Sequence, residues 1–115
     1  MKDLEIFEHN GYGYNPIMHF GEWRVAIANY ADHFDKDKCN YISRHLETDE
    51  VFVLLEGEAT LVTGMERSET PLEKGKIYNV KKGSWHALWL SRDGKVLIVE
   101  NHNTGSENTE NYYFK

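Results

Sequence analysis

The stretch that decides the fold reads Ser43-Arg44-His45-Leu46-Glu47-Thr48-Asp49-Glu50-Val51-Phe52-Val53-Leu54-Leu55-Glu56-Gly57. Its second half is a short run of β-branched, aromatic and aliphatic residues between a polar turn and a glycine, which is typical of a β-strand. Both alternating faces of the run are apolar, whereas a strand with one solvated face would alternate apolar and polar residues. The stretch therefore predicts a strand that is covered on both faces.

The rest of the chain has the same pattern of short apolar runs cut by turn residues. No dozen residues show the helical spacing of apolar positions. The predicted strands are Leu4–Phe7, Trp23–Tyr30, Tyr41–His45, Val51–Leu55, Glu58–Gly64, Lys76–Val80, Trp85–Ser91 and Lys95–Asn101. Eight short strands at regular spacing predict an all-β sandwich or barrel. We expect residues 11–16 to form a turn and residues 64–71 to form a polar hairpin tip.

Length and charge limit the possible functions. A chain of 115 residues has room for one domain, with a core predicted at about residues 23–101. The net charge of −6 argues against nucleic acid or an anionic membrane as a partner. The first ten residues lack a cationic flank followed by an apolar run, so we expect no signal peptide. The single cysteine, Cys39, cannot form an internal disulfide, which favours a cytoplasmic location.

The C-terminus combines a polar segment with an aromatic end. Residues 103–111 are polar, and we expect them to be loose. Tyr112, Tyr113 and Phe114 follow, and their apolar surface would be costly to leave in water. We therefore expect this end to dock against the domain, at a place that the sequence does not indicate.

Two histidines and one carboxylate stand at the ends of predicted strands. Ser43 and His45 share one face of their strand, and Glu50 begins the next strand, so antiparallel pairing could bring its carboxylate beside His45. His86 enters its strand from the turn at residues 81–84. Two imidazoles and one carboxylate inside a barrel suit a first-row transition metal with open positions. The alternative is a metal-free site in which His45 and Glu50 form a buried hydrogen-bonded pair.

The spacing of these residues resembles the two motifs of the cupin superfamily. His45 matches the second histidine of the first motif, Glu50 follows after four residues, and Gly57 follows after six more. Gly75 opens the second motif, and Gly83 with His86 form its Gly-x-x-His end. The resemblance extends from about Asp37 to Asn101 and implies a double-stranded β-helix, or jelly roll.

Four positions depart from the cupin pattern. Asp37 replaces the first glycine, Ser43 the first metal-binding histidine, Lys81 the proline, and Leu90 the trailing asparagine. The resemblance thus implies a divalent ion, Mn, Fe, Ni or Zn, held by three residues, His45, Glu50 and His86. A serine hydroxyl is a weak ligand for such ions, so we expect a weaker site than one with four ligands. Glu47 is a second candidate carboxylate, but the interval to Gly57 favours Glu50.

Strand alternation predicts which side chains line the barrel interior. The candidate pocket residues share the parity of the three ligands, and they are Tyr41, Ser43, Phe52, Leu54, Leu88 and Leu90. His9 and His33 are expected to be solvated, and Cys39 is expected to have no role.

The resemblance implies three classes of function. The first is a metal-dependent enzyme of the dioxygenase, isomerase or decarboxylase class, in which Glu50 serves as ligand or proton shuttle for a small oxygen-rich or aromatic substrate. The second is a non-catalytic module that binds a small sugar or acid. The third is a stable fold with an empty pocket.

The outward faces of two strands predict self-association. Residues 51–55 are apolar outside as well as inside, and Trp85 and Trp89 lie on the face opposite His86. Contiguous apolar surface of this kind seldom remains exposed on a monomer. We therefore expect a homodimer that buries the outer faces of residues 51–55 and 85–89.

Overall fold

A computed structural model describes residues 3–114 as two antiparallel five-stranded sheets packed face to face. The strands are β1 (Tyr14–Phe20), β2 (Trp23–Asn29), β3 (Tyr41–His45), β4 (Glu50–Glu56), β5 (Ala59–Thr63), β6 (Ser68–Pro71), β7 (Tyr78–Val80), β8 (His86–Leu90), β9 (Lys95–Asn101) and β10 (Thr109–Tyr113). The first sheet has the order β1-β2-β9-β4-β7 and the second the order β10-β3-β8-β5-β6. The prediction of an all-β fold is confirmed.

Helix is restricted to two single turns of 3-10 type within the described part of the chain. They are Asp32–Phe34, between β2 and β3, and Ser106–Asn108, before β10. No helix within residues 3–114 is long and apolar enough to cross a membrane.

The core forms between the inward faces of the two sheets, because alternate residues of each strand point to the same side. Phe52 and Leu54 of β4 and Ile98 of β9 come from the first sheet, while Leu61 of β5 and Leu88 of β8 come from the second. All five are buried. The outward residues of β4 are only half-buried, so the strand is apolar on a face that the chain itself covers incompletely.

Seven predicted strands coincide with observed ones. Tyr41–His45 and Lys95–Asn101 agree at both ends, and the five others differ by at most two residues at either end. The predicted strand at Leu4–Phe7 is wrong, because these residues pair with no strand and are exposed.

Sequence analysis did not identify β1 and β6. β1 contains Pro16 and a bulge between Pro16 and Met18, which break the two-residue period. A proline is tolerated there because β1 is an edge strand. β6 occupies part of the expected hairpin tip at residues 64–71, since only residues 64–67 form the turn and the polar residues beyond it pair with β5 at the sheet edge.

The aromatic C-terminus docks on the second sheet as β10, next to β3. The ring of Tyr112 packs edge-on against Trp85 at 6.3 Å, and the ring of Tyr113 lies 5.2 Å from that of Tyr41. The expectation that residues 103–111 are loose is wrong for Thr109 onward. The polar side chains misled the prediction because an edge strand tolerates solvated residues on one face.

The two strands expected to form the dimer interface belong to different sheets. β4 lies in the first sheet and β8 in the second, so their outer faces point to opposite sides of the molecule. The chain covers part of the β8 side itself, since the guanidinium of Arg44 lies 4.7 Å from the ring centre of Trp85. One two-fold interface can therefore bury only one of these faces.

Candidate metal centre

Three strand ends bring His45, Glu50 and His86 together. His45 is the last residue of β3, Glu50 the first of β4, and His86 the first of β8. Ser43 of β3 pairs with His86 across the second sheet, and the backbone N–H of Gly83 donates to the carbonyl of His45 at 2.8 Å. Gly83 has a φ of 83°, a conformation that favours glycine, so the turn can place His86 beside His45.

The three side chains converge on one carboxylate oxygen. The Nε2 atoms of His45 and His86 each lie 2.9 Å from Oε1 of Glu50. All three donor atoms are within 4.8 Å of one another. Glu50 and His86 are both 6% exposed, whereas His45 is half-buried at the rim of the cavity.

The other nitrogen of each imidazole is held by a neighbouring oxygen. Nδ1 of His86 lies 3.0 Å from the carbonyl oxygen of Ser84, which can only accept, so Nδ1 carries a proton. Nδ1 of His45 lies 3.0 Å from the hydroxyl of Thr109. Such partners fix ring orientation and leave Nε2 as the metal-binding atom.

Burial and mutual charge oppose each other in this cluster. Burial alone would raise the pKa of Glu50, but the hydrogen bonds from His45 and His86 outweigh it and hold that pKa well below its usual range. Burial alone would lower the pKa of His86, yet the hydrogen bond and charge of Glu50 outweigh it and raise that pKa. Glu50 is therefore a carboxylate, able to neutralise a cation at this position.

A cavity of about 140 Å³ opens beside the cluster. Tyr41, Ser43, Phe52 and Leu88 line it, together with the three candidate ligands. Leu54 and Leu90 do not line it, and both pack in the apolar core, where they are buried. They share the parity of the pocket residues but lie farther along their strands, away from the ends where the ligands meet.

Sequence analysis did not identify half of the cavity wall. The further lining residues are Tyr14, His33, Phe34, Cys39, Ala87 and Ile98. His33 is exposed, as expected, but it also lines the cavity. Cys39, which was expected to have no role, lines the cavity as well. The loop that carries both residues is charged and lacks a period, so no sequence signal connects it to the site.

Ser43 and Glu47 have partners of their own. The hydroxyl of Ser43 donates to Oδ1 of Asn111 on β10 at 2.5 Å, at the position where the cupin motif has a histidine. Oε1 of Glu47 accepts from Asn103 at 3.1 Å, and its carbonyl accepts from Asn101. The structure thus selects Glu50 over Glu47 as the carboxylate of the cluster.

A second carboxylate, Glu100, lies beside the cluster and was not predicted. It is 5% exposed, and its Oε1 is 3.9 Å from Nε2 of His45. Tyr14 and Arg24 both donate to its Oε2. The available signal was parity, because Glu100 follows Val96 and Ile98 on the inward face of β9, where an acidic residue is unusual.

The donor set suits a transition metal. Imidazole nitrogens and a carboxylate oxygen are the ligands that Mn, Fe, Ni and Zn bind in proteins. Three protein ligands next to a cavity also leave coordination positions for water or substrate. His45, Glu50 and His86 could therefore hold a divalent ion.

Comparisons with known proteins identify the fold. No protein-family model matches the sequence, and no curated protein is similar to it in sequence. A cupin-2 domain protein from Shewanella frigidimarina superimposes with a TM-score of 0.62 at 20% identity, covering 82% of this chain and 85% of the other. Pac13 from Streptomyces, described as a nucleoside dehydratase, gives 0.66 at 8% identity over 92% and 83% of the two chains.

A third similar structure is HppE in its Fe(II) form. Its TM-score is 0.60 at 18% identity, covering 77% of this chain but only 50% of that longer protein. Identities this low establish the fold and not the activity. The chain accordingly has a cupin-type jelly-roll fold, as predicted, with a His-His-Glu cluster at its cavity.

Proposed function

We propose that this cupin-fold protein binds one divalent transition metal through His45, Glu50 and His86 and acts as an enzyme on a small oxygen-rich or aromatic substrate. The observation that carries the proposal is the convergence of two Nε2 atoms on one carboxylate oxygen at 2.9 Å, at the wall of a cavity. The carbonyl of Ser84 supports it, because it orients His86 as metal-binding histidines are oriented.

The residues around the site divide into binding and orienting groups. A bound ion of this type supplies Lewis-acid polarisation of a substrate oxygen. Tyr14 and Ser43 line the cavity with hydroxyl groups that can orient a polar substrate by hydrogen bonding. Phe52 and Leu88 form an apolar part of the cavity wall, which limits water around the substrate. Glu50 can hold a proton only when it is not serving as a ligand.

The size of the cavity restricts the substrate. Its volume of about 140 Å³ is well below the roughly 300–1,000 Å³ of pockets that hold drug-sized ligands. We therefore expect a small substrate, such as a small hydroxy acid or a single substituted ring. The Fe(II) form of HppE supports iron as one candidate ion among Mn, Fe, Ni and Zn.

Metal content tests the proposal directly. The protein is purified from cells grown with added manganese, iron, nickel and zinc, and its metals are measured by elemental analysis. We expect about one ion per chain and a melting temperature that falls on chelation. A protein without stoichiometric metal, whose melt does not respond to chelator, would contradict the proposal.

A metal-free binding module is the second candidate. Glu50 accepts hydrogen bonds from both histidines, and within residues 3–114 no buried side-chain nitrogen or oxygen lacks a partner, so the cluster is satisfied without an ion. In that case small sugars or acids would bind to the protein after a chelator has removed its metal, and calorimetric titration would detect their binding. The same titration with the metal-loaded protein distinguishes the two candidates.

We also propose a homodimer in the cytoplasm. Three neighbouring strands of the first sheet present an apolar outer face, formed by Val25, Ile27, Val51, Val53, Leu97 and Val99. A two-fold arrangement is the commonest closed assembly. The cytoplasmic location rests on the single free cysteine, Cys39.

A further inference from the structure

Glu100 directly faces Glu50 on the inner side of the first sheet. Val51 pairs with Val99 and Phe52 with Ile98, so the antiparallel register continues to Glu50 and Glu100. Both carboxylates are buried, at 6% and 5% exposure. Like charges on opposed residues of neighbouring strands are destabilising, and a cation between them would remove the penalty.

The two oxygens of Glu100 have different surroundings. Oε2 accepts hydrogen bonds from the hydroxyl of Tyr14 and from Arg24, whose Nη2 is 3.0 Å away. Oε1 is directed toward the candidate ligands, 3.9 Å from Nε2 of His45. The arrangement anchors the carboxylate through one oxygen and presents the other to the site, as supporting hydrogen bonds do for carboxylates that bind metals.

The separation of Oε1 from the histidine is compatible with a shared ion. In an octahedral site, two ligand atoms that each lie about 2.1 Å from the ion are roughly 3.0 Å apart when they are adjacent and roughly 4.2 Å apart when they are opposite. The distances of 2.9 Å to Glu50 and 3.9 Å to Glu100 from the same Nε2 fall at the two ends of this range. Glu100 lies outside the group of donor atoms that are all within 4.8 Å of one another, so its carboxylate must move toward Glu50 and His86 to share their ion.

We infer that Glu100 is a fourth protein ligand of the metal, occupying through Oε1 the role that the missing histidine at Ser43 leaves open. The inference rests on the proposed function, because it presupposes that His45, Glu50 and His86 hold an ion. It assigns to the centre two imidazoles and two carboxylates. A second carboxylate favours oxygen-preferring ions, so it also places Mn and Fe ahead of Zn among the candidates.

Burial and charge agree with this assignment. Glu100 is 5% exposed and lies near a second buried carboxylate, Glu50, so two negative charges are held in the interior. Arg24 provides one positive charge at Oε2. A divalent ion would by itself neutralise the two carboxylates, and with Arg24 the cluster would carry a single positive charge.

Titration of the chelated protein with Co(II) tests the assignment, using the visible absorption of the ion to report its coordination. The test variant is Glu100→Gln, which keeps the shape of the side chain. Its matched control is Glu110→Gln, which removes a carboxylate from a surface pair with Arg44 at 2.7 Å. Glu100→Asp, which retains the charge but withdraws it by one methylene, keeps the test decisive if the glutamine variant does not fold.

We expect Glu100→Gln to weaken Co(II) binding about a hundredfold or more and to change the absorption bands, since loss of a supporting contact alone costs about 10–100-fold. Glu100→Asp should weaken binding to a lesser extent, and Glu110→Gln should match the wild type. Adding Ser43→His to Glu100→Gln should recover affinity to within about tenfold of the wild type, because an imidazole then fills the vacated role.

Two results would overturn the inference, and they differ from each other. In the first, the wild type binds Co(II), and Glu100→Gln binds it with the same affinity or with the same absorption bands. This result would show that Glu100 is not a ligand, and it would leave the proposed function intact. Absence of Co(II) binding by the wild type would overturn the proposed function and the inference together.

Discussion

The carbonyl oxygen of Ser84 lies 3.0 Å from Nδ1 of His86, two residues farther along the chain. A carbonyl only accepts hydrogen bonds, so this contact fixes the proton on Nδ1 and directs Nε2 toward Glu50. The turn that precedes β8 therefore does more than reverse the chain. It sets the orientation of the one histidine that is buried within the cluster.

Replacement of either clustered histidine should abolish stoichiometric metal. His86→Ala or His45→Ala removes one of the two imidazole donors, and the remaining ligands cannot retain an ion against buffer. His33→Ala is the matched control, because His33 lines the same cavity without joining the cluster. Elemental analysis of all three variants provides the measurement, and retention of one ion per chain by His86→Ala would show that the ion binds elsewhere.

The same variants report on stability in the metal-free chain. His86→Ala leaves Glu50, a buried carboxylate, without one of its two donors. We expect a loss of about 1–3 kcal/mol in the free energy of unfolding. Denaturant unfolding in the presence of chelator measures it, with His33→Ala again as the control.

Position 43 should tune the metal affinity. Ser43→Ala should change metal binding little, because the hydroxyl already donates to Asn111 and is a weak ligand. Ser43→His should strengthen binding, since an imidazole would enter the coordination shell, and should hinder any reaction that needs the open position. Competition with a chromophoric chelator measures both affinities. Equal affinity of Ser43→His and the wild type would place this position outside the shell.

Much of this site was predictable because its ligands coincide with strand ends. His45, Glu50 and His86 each follow or precede a strong β run, so their spacing survives in the sequence as a motif. Glu100 lies within a continuous strand, and only its inward parity distinguished it. Tyr14 lies on β1, whose proline and bulge conceal the strand altogether.

The loop residues of the cavity wall were beyond sequence analysis for a different reason. His33 and Cys39 reach the site through the tertiary path of the connection between β2 and β3, which no local pattern encodes. The docking of Tyr112 was expected, but its place was not, because an edge strand acquires its partner only when the sheet has formed.

The pH dependence of stability above about pH 6.5 should reverse when metal binds. In the chelated chain the pKa of Glu50 is lowered from 4.5, so its contribution is present above about pH 4.5 and is lost as the pH falls toward its folded value. The pKa of His86 is raised from 6.5, so its contribution is present below about pH 6.5 and is lost as the pH rises through its folded value. These two groups favour the chelated chain most between about pH 4.5 and 6.5.

Metal reverses the upper part of this profile, because an imidazole must lose the Nε2 proton before it can bind an ion. The increase in melting temperature on adding metal should therefore grow from pH 5 to pH 8. Thermal melts with metal and with chelator at pH 5, 6.5 and 8 measure it. An increment that is largest at pH 5 would contradict binding through His45 and His86.

Leu97→Lys should convert the proposed dimer to a monomer. Leu97 pairs with Ile27 on one side and Val53 on the other, so it lies in the middle of the apolar outer face of the first sheet. A lysine there would introduce a charge into the centre of the interface on both subunits, which costs far more than a charge at its rim. Sedimentation at micromolar concentration measures the mass of the wild type and the variant.

The matched control for this change is Thr60→Lys, on the opposite side of the molecule. Thr60 pairs with Trp89 on the second sheet, whose outer face is the other surface that sequence analysis proposed. We expect Thr60→Lys to leave the dimer intact, because the chain already covers part of that sheet with Arg44 and Tyr112 over Trp85. The reverse result, a dimer retained by Leu97→Lys and lost in Thr60→Lys, would move the interface to the second sheet. A wild type that sediments as a monomer would remove it altogether.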